Sequence, residues 1–322
     1  MTYFDLPLEQ LREYAPGVRT PEDFDEFWAI TLEQAREFDL NVVAERVDNH
    51  LTVIETWDVT FSGFGGDRIR AWLHVPTGAM GPLPTIVEYH GYSRGRGLAH
   101  QSVLYALAGY AQFSMDTRGQ GWTSPGDTPD PSAVLGSPGQ PGLMVRGILD
   151  PTDYYFRRVF VDAARAIEAA RTFDVVDAAR VVVAGGSQGG GIGVAAAGLV
   201  PDLVGSIIDV PFLSHFERAI TITNEYPYQE IVGYLARYRE RYETVMNTLS
   251  YFDGVSFSAR SHAPTLVSVA LMDEVCPPST VFAAYNAHQG PKEISVYPFN
   301  GHEGGGEFHE VDKLRWLAAL FG

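Results

Sequence analysis

The chain has 322 residues, 45% of them hydrophobic, so it can bury roughly three quarters of the surface that its unfolded form exposes. Its 23 Lys and Arg against 40 Asp and Glu give a formal net charge of −17, and no basic run could follow a phosphate backbone, so neither nucleic acid nor an anionic membrane is an expected partner. The single Cys276 excludes an intrachain disulfide, the first residues lack the features of a secretion signal, and no apolar run reaches the about 18 residues of a membrane span. We therefore expect a cytoplasmic protein.

The first predicted elements are a helix and an antiparallel strand pair. In TPEDFDEFWAITLEQAREF, Thr20 is the predicted N-cap, Pro21 takes the first helical position, and apolar residues follow at spacings of three and four. Between 51 and 76 the hydrophobic period drops to two, which is typical of half-buried strands, and SGFGGDR suits the turn of a hairpin. We expect an amphipathic helix that packs on the rest of the chain, followed by this pair.

Beyond Pro84 the strands become continuous apolar runs separated by helical patterns, which indicates parallel strands covered on both faces. Residues 119–152 form a long Gly- and Pro-rich connection, whereas 211–262 contain helix formers and predict a helical insertion above the sheet. No domain boundary is evident, so residues 1–322 are expected to form one α/β domain that ends in a helix. The predicted strands are 85–89, 111–115, 181–184, 206–210, 265–271 and 293–297.

A glycine cluster around Ser187 predicts a nucleophile. The segment GGSQG, residues 185–189, matches G-x-S-x-G and lies between a buried strand and a helix, which is the context of a nucleophile elbow. Glycines on both sides leave room for the tight turn that pushes the hydroxyl outward. The alternative is a phosphate-binding turn. It is disfavoured because the segment lacks both G-x-G-x-x-G in the right phase and a Walker-type Lys.

A serine hydroxyl needs a base, and in this fold pattern the partners follow the serine in the order acid, then histidine. His302, in a glycine-rich loop after the last strand, is the predicted base, because His309 falls in the final helix. Asp273 follows the preceding strand directly and is the predicted acid, with Glu274 facing away. Asp209 is the alternative acid.

Two backbone amides are the predicted oxyanion donors. One belongs to Gln188, the residue after the nucleophile, and the other to Tyr92, in the glycine-rich loop EYHGYSRGRG after an early strand. A metal enzyme is disfavoured, because His302-Glu303 and His309-Glu310 lack the H-E-x-x-H spacing. Cys276 is expected to be a buried structural residue rather than a nucleophile.

Six motifs occur along the chain: RGQG at 118–121, GGSQGGG at 185–191, DVPFLSHF at 209–216, TLSYFDGVSF at 248–257, LMDEVCPPSTVFAAYN at 271–286 and HEGGG at 302–306. Together they resemble the acetyl xylan esterase and cephalosporin C deacetylase family of α/β hydrolases, carbohydrate esterase family seven, and the resemblance extends over nearly the whole chain. The resemblance implies an α/β-hydrolase fold, the triad Ser187, Asp273 and His302, and oxyanion amides at Tyr92 and Gln188. The family's Arg-Gly-Gln stretch falls on Arg118, Gly119 and Gln120, which the resemblance implies support a loop near the site.

The resemblance further implies a serine esterase that needs no cofactor and removes acetyl groups from xylo-oligosaccharides, other small acetylated sugars and cephalosporin C. It implies a homo-oligomer, a hexamer in many members. The clearest departure from the family is the Gly- and Pro-rich loop 121–142.

Because a base imidazole must be neutral, activity is expected to fall on acidification from neutral pH. The alternatives are a serine peptidase or a longer-chain esterase on the same fold, and a non-catalytic binding protein.

Overall fold

The computed structural model describes residues 3–131 and 142–322. Within these ranges nine strands form one sheet in the spatial order β1-β2-β3-β5-β4-β6-β7-β8-β9. Neighbouring strands are antiparallel from β1 to β5 in this order and parallel from β5 to β9. The strands are β1 Val43–Val47, β2 Ile54–Ser62, β3 Arg68–Pro76, β4 Leu83–Tyr89, β5 Ala111–Met115, β6 Val176–Gly186, β7 Gly205–Asp209, β8 Thr265–Ala270 and β9 Lys292–Tyr297.

Helices cover both faces of the parallel part. Adjacent strand residues point to opposite faces, so Val183 belongs to the main core, whereas Val182 belongs to a second cluster that Leu317 of the last helix closes. The α-helices are α1 Leu8–Arg12, α2 Phe24–Arg36, α3 Leu104–Leu107, α4 Tyr155–Ala170, α5 Gln188–Leu199, α6 Phe216–Ile222, α7 Tyr228–Arg237, α8 Tyr242–Ser250, α9 Gly254–Ser258, α10 Pro278–Ala287 and α11 Gly306–Phe321. No helix of the described residues is long and apolar enough to span a membrane.

All six predicted parallel strands are confirmed, with β6 longer than its apolar centre predicted. The strand β1 was missed because its side chains are mostly exposed at the sheet edge and carry no apolar alternation. Four helices, α6 to α9, occupy the segment predicted as a helical insertion. Of the Gly- and Pro-rich loop 121–142, residues 132–141 lie outside the described part of the chain.

The predicted start of the N-terminal helix is wrong by about one turn. The helix α2 begins at Phe24 with Asp23 at the N-cap position, not at Thr20. Thr20 instead places its hydroxyl 2.8 Å from the hydroxyl of Ser256 in α9, so a tertiary contact takes the side chain that would have capped the helix. The amphipathic pattern itself is confirmed, because Trp28 of α2 is buried against aromatic rings of α4, α9 and the segment between α8 and α9.

A buried arginine fixes the loop that follows β5. The Arg118 guanidinium has no exposed surface, and its Nε and Nη2 donate to the two oxygens of Asp162 in α4 at 2.6 and 2.8 Å. Its Nη1 donates to Asp67 at 2.8 Å and to Asp130 at 3.3 Å. Burial alone would lower the pKa of Arg118, but these three carboxylates outweigh it and raise the pKa. Arg118 therefore joins the β2–β3 turn, the loop after β5 and α4.

We expect Arg118→Met to lower the free energy of unfolding by about 3–5 kcal/mol, because it leaves three carboxylates clustered without their shared cation. Arg46→Met is the matched control. Arg46 forms an exposed salt bridge with Glu55, and removing such a surface pair lowers the free energy of unfolding by less than about 1 kcal/mol. Urea unfolding followed by circular dichroism measures both. Equal losses in the two variants would contradict a structural role for the buried cluster.

Candidate active site

Ser187 lies at a sharp bend between β6 and α5. Its φ of 56° and ψ of −122° are strained for a residue with a side chain. The bend brings backbones so close that a Cβ on Gly185 would overlap Gly189, and a Cβ on Gly189 would overlap the carbonyl of Tyr89. Ser187 N donates to Asp209 O at 2.9 Å, which ties the bend to the end of β7. This geometry is the reason for the glycines around the serine.

The structure brings the three predicted triad residues together. Ser187 Oγ lies 2.9 Å from His302 Nε2, and His302 Nδ1 lies 2.9 Å from Asp273 Oδ2. Asp273 is fully buried after β8, whereas the side chain of His302, on the loop between β9 and α11, remains about one-third exposed. The second carboxylate oxygen of Asp273 accepts from the backbone amides of Val275 and Cys276 at 2.8 and 2.9 Å. These bonds hold the carboxylate in the orientation that His302 uses.

The alternative acid Asp209 belongs to a different histidine. Its Oδ1 lies 2.9 Å from Nε2 of His309, and Lys313 donates to its Oδ2 at 3.0 Å. The other ring nitrogen of His309 lies 2.9 Å from the hydroxyl of Tyr297, so both nitrogens are engaged. Burial would raise the pKa of Asp209, but the hydrogen bond from His309 and the Lys313 charge outweigh it and lower the pKa. This second pair anchors α11 to the end of β7.

Cys276 lies against the triad. One ligand atom each from Asp273, Cys276 and His302 lie within 4.8 Å of one another, the one such group of three possible metal ligands in the residues that the structure describes. Binding an ion there would break the His302–Asp273 hydrogen bond. Burial raises the pKa of Cys276 well above its usual value, so the side chain is a neutral thiol. The side chain is fully buried, as predicted for this cysteine.

Of the two predicted oxyanion donors, Gln188 directly follows the serine in the chain and Tyr92 lines the same cavity as the serine. Gln188 is the first residue of α5, and Tyr92 lies in the loop after β4. Within residues 3–131 and 142–322, neither backbone N–H has a hydrogen-bond acceptor. The side-chain Nε2 of Gln188 donates to His90 O at 3.1 Å and so holds the loop after β4 against the helix. Two free amides beside a serine can stabilise negative charge on an oxygen.

In the stretch predicted as loop support, Gln120 bonds these loops, whereas the Arg118 guanidinium bonds Asp67, Asp130 and Asp162 instead. Gln120 Oε1 accepts from Ser93 N at 2.7 Å, and its Nε2 donates to Gln188 Oε1 at 2.8 Å. Gly119 has a φ of 67°, which a side chain would strain. The family resemblance placed this stretch near the site but gave no indication of these contacts.

Ser187 and His302 open into a cavity of about 920 Å³. Part of its wall was not predicted, because some of its residues come from the helical insertion and no local pattern marks them. The wall includes Tyr226 and Pro227, which precede α7, and Ser124 of the Gly- and Pro-rich loop 121–142. Its polar residues are Glu88, His90, Ser93, Arg94, Arg96, Gln101, Ser102, Ser124, Asp209 and Glu303. A serine, a hydrogen-bonded histidine and two free amides at the edge of such a cavity can carry out acyl transfer.

Comparison with known proteins identifies the family. Residues 1–320 match the family model of acetyl xylan esterase (AXE1). The acetyl esterase Axe7A of Xylanibacter ruminicola is 28% identical over 315 residues, which cover 94% of this chain and 68% of that protein.

Two solved structures are similar over their whole length. The acetyl xylan esterase from Paenibacillus sp. R4 is 41% identical with a TM-score of 0.91, covering 98% of this chain and 99% of that one. Acetyl xylan esterase 1 from Thermoanaerobacterium sp. JW/SL YS485 is 36% identical with a TM-score of 0.90, covering 99% and 100%. The predicted fold and the resemblance stated from the motifs are confirmed. The chain therefore belongs to the acetyl xylan esterase family, and it is a carboxylic ester hydrolase with an α/β-hydrolase fold.

Proposed function

We propose that the protein is a serine esterase that removes acetyl groups from small acetylated sugars, including xylo-oligosaccharides, and from cephalosporin C, through an acetyl-serine intermediate. The observation that carries the proposal is the hydrogen-bonded series Asp273, His302 and Ser187 at the edge of the cavity. The family supports acetyl ester hydrolysis. The homo-oligomer, a hexamer by resemblance, and the cytoplasmic location stay predictions.

In the first half of the reaction, His302 Nε2 takes the proton from Ser187 Oγ as the oxygen attacks the acetyl carbonyl carbon. The carbonyl oxygen becomes negative and accepts hydrogen bonds from the amides of Tyr92 and Gln188. Asp273 stabilises the imidazolium through its bond to Nδ1. The carbon–oxygen bond to the alcohol then breaks, and Nε2 gives its proton to the leaving oxygen. Ser187 now carries the acetyl group.

In the second half, a water molecule takes the place of the alcohol. His302 Nε2 removes a proton from the water, whose oxygen attacks the acetyl carbon, and the same two amides hold the oxyanion. The bond to Ser187 Oγ breaks, His302 returns the proton to that oxygen, and acetate leaves. The free enzyme is restored with no change in oxidation state.

The cavity supports a small acyl group and a polar alcohol. Tyr92, Pro227 and Val275 line it together with Ser187, and many of the other wall residues are charged or polar. A volume of about 920 Å³ far exceeds that of an acetyl group, so most of it is available to the alcohol. Hydroxyl-rich sugars match donors and acceptors such as Arg94 and Gln101 better than a long acyl chain does.

We expect wild-type turnover of p-nitrophenyl esters to fall sharply from acetate to butyrate to octanoate. Ser187→Ala should lower kcat by about 10⁵–10⁶-fold, because no other group replaces the nucleophile. Steady-state kinetics of both proteins, with an unfolding curve to show that the variant is folded, measure this. Acetylated xylo-oligosaccharides and cephalosporin C then test the proposed alcohols.

Turnover that favours octanoate, or cleavage of a peptide p-nitroanilide at a comparable rate, would contradict the acetyl preference. Substantial turnover by folded Ser187→Ala would contradict the assigned nucleophile.

The two His–Asp pairs offer a matched comparison for the base. We expect His302→Asn to lower kcat by a factor of at least about 10⁴, as for loss of a triad member. His309→Asn should stay within about tenfold of wild type, because His309 bonds Asp209 and Tyr297 rather than the serine, although it should cost the usual about 1–3 kcal/mol of a lost buried hydrogen bond. Kinetics on p-nitrophenyl acetate and urea unfolding separate the two effects. Comparable losses of kcat would refute the assignment.

A further inference from the structure

We propose that Glu230, in the helical insertion, is a positioning residue for the oxyanion hole; the inference rests on the proposed esterase function. Glu230 Oε1 accepts from the hydroxyl of Tyr92 at 2.8 Å and from Gly142 N at 3.0 Å. Its Oε2 accepts from Met144 N at 3.0 Å. The Tyr92 hydroxyl in turn accepts from Leu143 N at 3.1 Å. One carboxylate on α7 therefore binds both Tyr92, in the loop after β4, and the chain at 142–144.

Both the ring and the hydroxyl of Tyr92 are held by neighbouring groups. Its ring packs edge-on against Trp122 with 5.6 Å between centroids, and its hydroxyl ends in the bonds to Glu230 and Leu143. Burial, followed by the Glu230 charge, raises the pKa of Tyr92, so the hydroxyl remains a proton donor to the carboxylate. Because an aromatic ring is rigid, fixing its hydroxyl also restrains the Cα and the adjacent backbone.

The backbone of Tyr92 is held on its other side as well. The next amide, Ser93 N, donates to Gln120 Oε1 at 2.7 Å, while the amide of Tyr92 itself has no acceptor in the described chain. The Tyr92 amide is therefore held from two sides. Gln120 bonds the neighbouring amide of Ser93, and Glu230 bonds the hydroxyl at the end of the Tyr92 ring. A donor aimed before the reaction costs no reorganisation when the oxyanion forms. Releasing the Glu230 anchor removes part of that advantage.

The position of Glu230 also links this amide to the cavity wall. Glu230 lies in the first turn of α7, directly after Tyr226 and Pro227, which line the cavity. Movement of the helix would shift this part of the cavity wall and the Tyr92 amide together. Since substrate binding uses many other contacts, the loss of Glu230 should affect the transition state more than the ground state.

We expect Glu230→Ala and Tyr92→Phe each to lower kcat on p-nitrophenyl acetate by about 10–100-fold with little change in KM, less than the about 10²–10³-fold effect of deleting a donor outright. Glu230→Gln, which keeps one acceptor oxygen, should recover part of the loss. Affinity for methylboronic acid, whose adduct on Ser187 places an oxygen at the oxyanion position, should fall in parallel with kcat. The double variant Tyr92→Phe with Glu230→Ala should lose less kcat than the product of the two single losses, because both single variants break the same Tyr92–Glu230 bond.

Tyr154→Phe is the matched control. The buried Tyr154 hydroxyl donates to Met144 O at 3.1 Å, so this variant also removes a hydrogen bond to the 142–144 segment, but it leaves the Tyr92–Glu230 bond in place. We expect its kcat and its methylboronic acid affinity to stay near those of wild type. Should Glu230→Ala fail to fold, Tyr92→Phe and Glu230→Gln carry the same comparison.

Wild-type kcat and boronate affinity in Tyr92→Phe and the Glu230 variants would overturn the inference, as would equal losses in Tyr154→Phe. Both results leave the esterase proposal intact as long as Ser187→Ala is inactive. Failure of that proposal is recognised separately, by turnover that survives in Ser187→Ala.

Discussion

The candidate site depends on the strained backbone of Ser187. A φ of 56° at a residue with a side chain costs on the order of 1–3 kcal/mol, and it persists because its surroundings fix it. Ser187 N donates to the carbonyl of Asp209, and Ser187 O accepts from the amides of Gly191 and Phe212 at 3.0 and 2.9 Å. Gly185 and Gly189 allow β4, β6 and α5 to approach more closely than any side chain would permit. The hydroxyl is thereby presented at the edge of the sheet.

That edge is where the other groups meet. The carboxyl ends of neighbouring parallel strands lie side by side, so the segments after β4, β8 and β9 bring Tyr92, Asp273 and His302 to the serine. Each is then held by contacts that the sheet alone does not provide. Backbone amides orient Asp273, and Gln120 with Glu230 holds the loop of Tyr92. The His309–Asp209 pair, close to the site, fixes the helix that follows the His302 loop.

The parts that could be predicted from the sequence are those with a local pattern. Continuous apolar runs located the parallel strands, and a glycine-flanked serine between a strand and a helix located the elbow. A position after the last strand limited the predicted base to His302 and His309, and the helical pattern around His309 favoured His302. The structure places the chosen ring beside the serine. The catalytic roles of these residues remain predictions that kinetics must test.

The parts that could not be predicted have no local pattern. The exposed edge strand β1 lacks apolar alternation. Thr20 bonds Ser256, more than 200 residues away, instead of capping the helix as predicted. Arg118 was placed near the site by resemblance, but its carboxylate partners lie on separate segments. The bond between Tyr92 and Glu230 likewise forms only when the helical insertion packs on the sheet.

The most direct test of the central claim is to find where the acetyl group goes. Wild-type enzyme mixed with p-nitrophenyl acetate, quenched in acid during turnover and digested, can be examined by peptide mass spectrometry. We expect an acetyl group on Ser187 in the peptide that contains residues 185–189. Acetylation of another side chain that turns over at the rate of product release, with Ser187 unmodified, would contradict it.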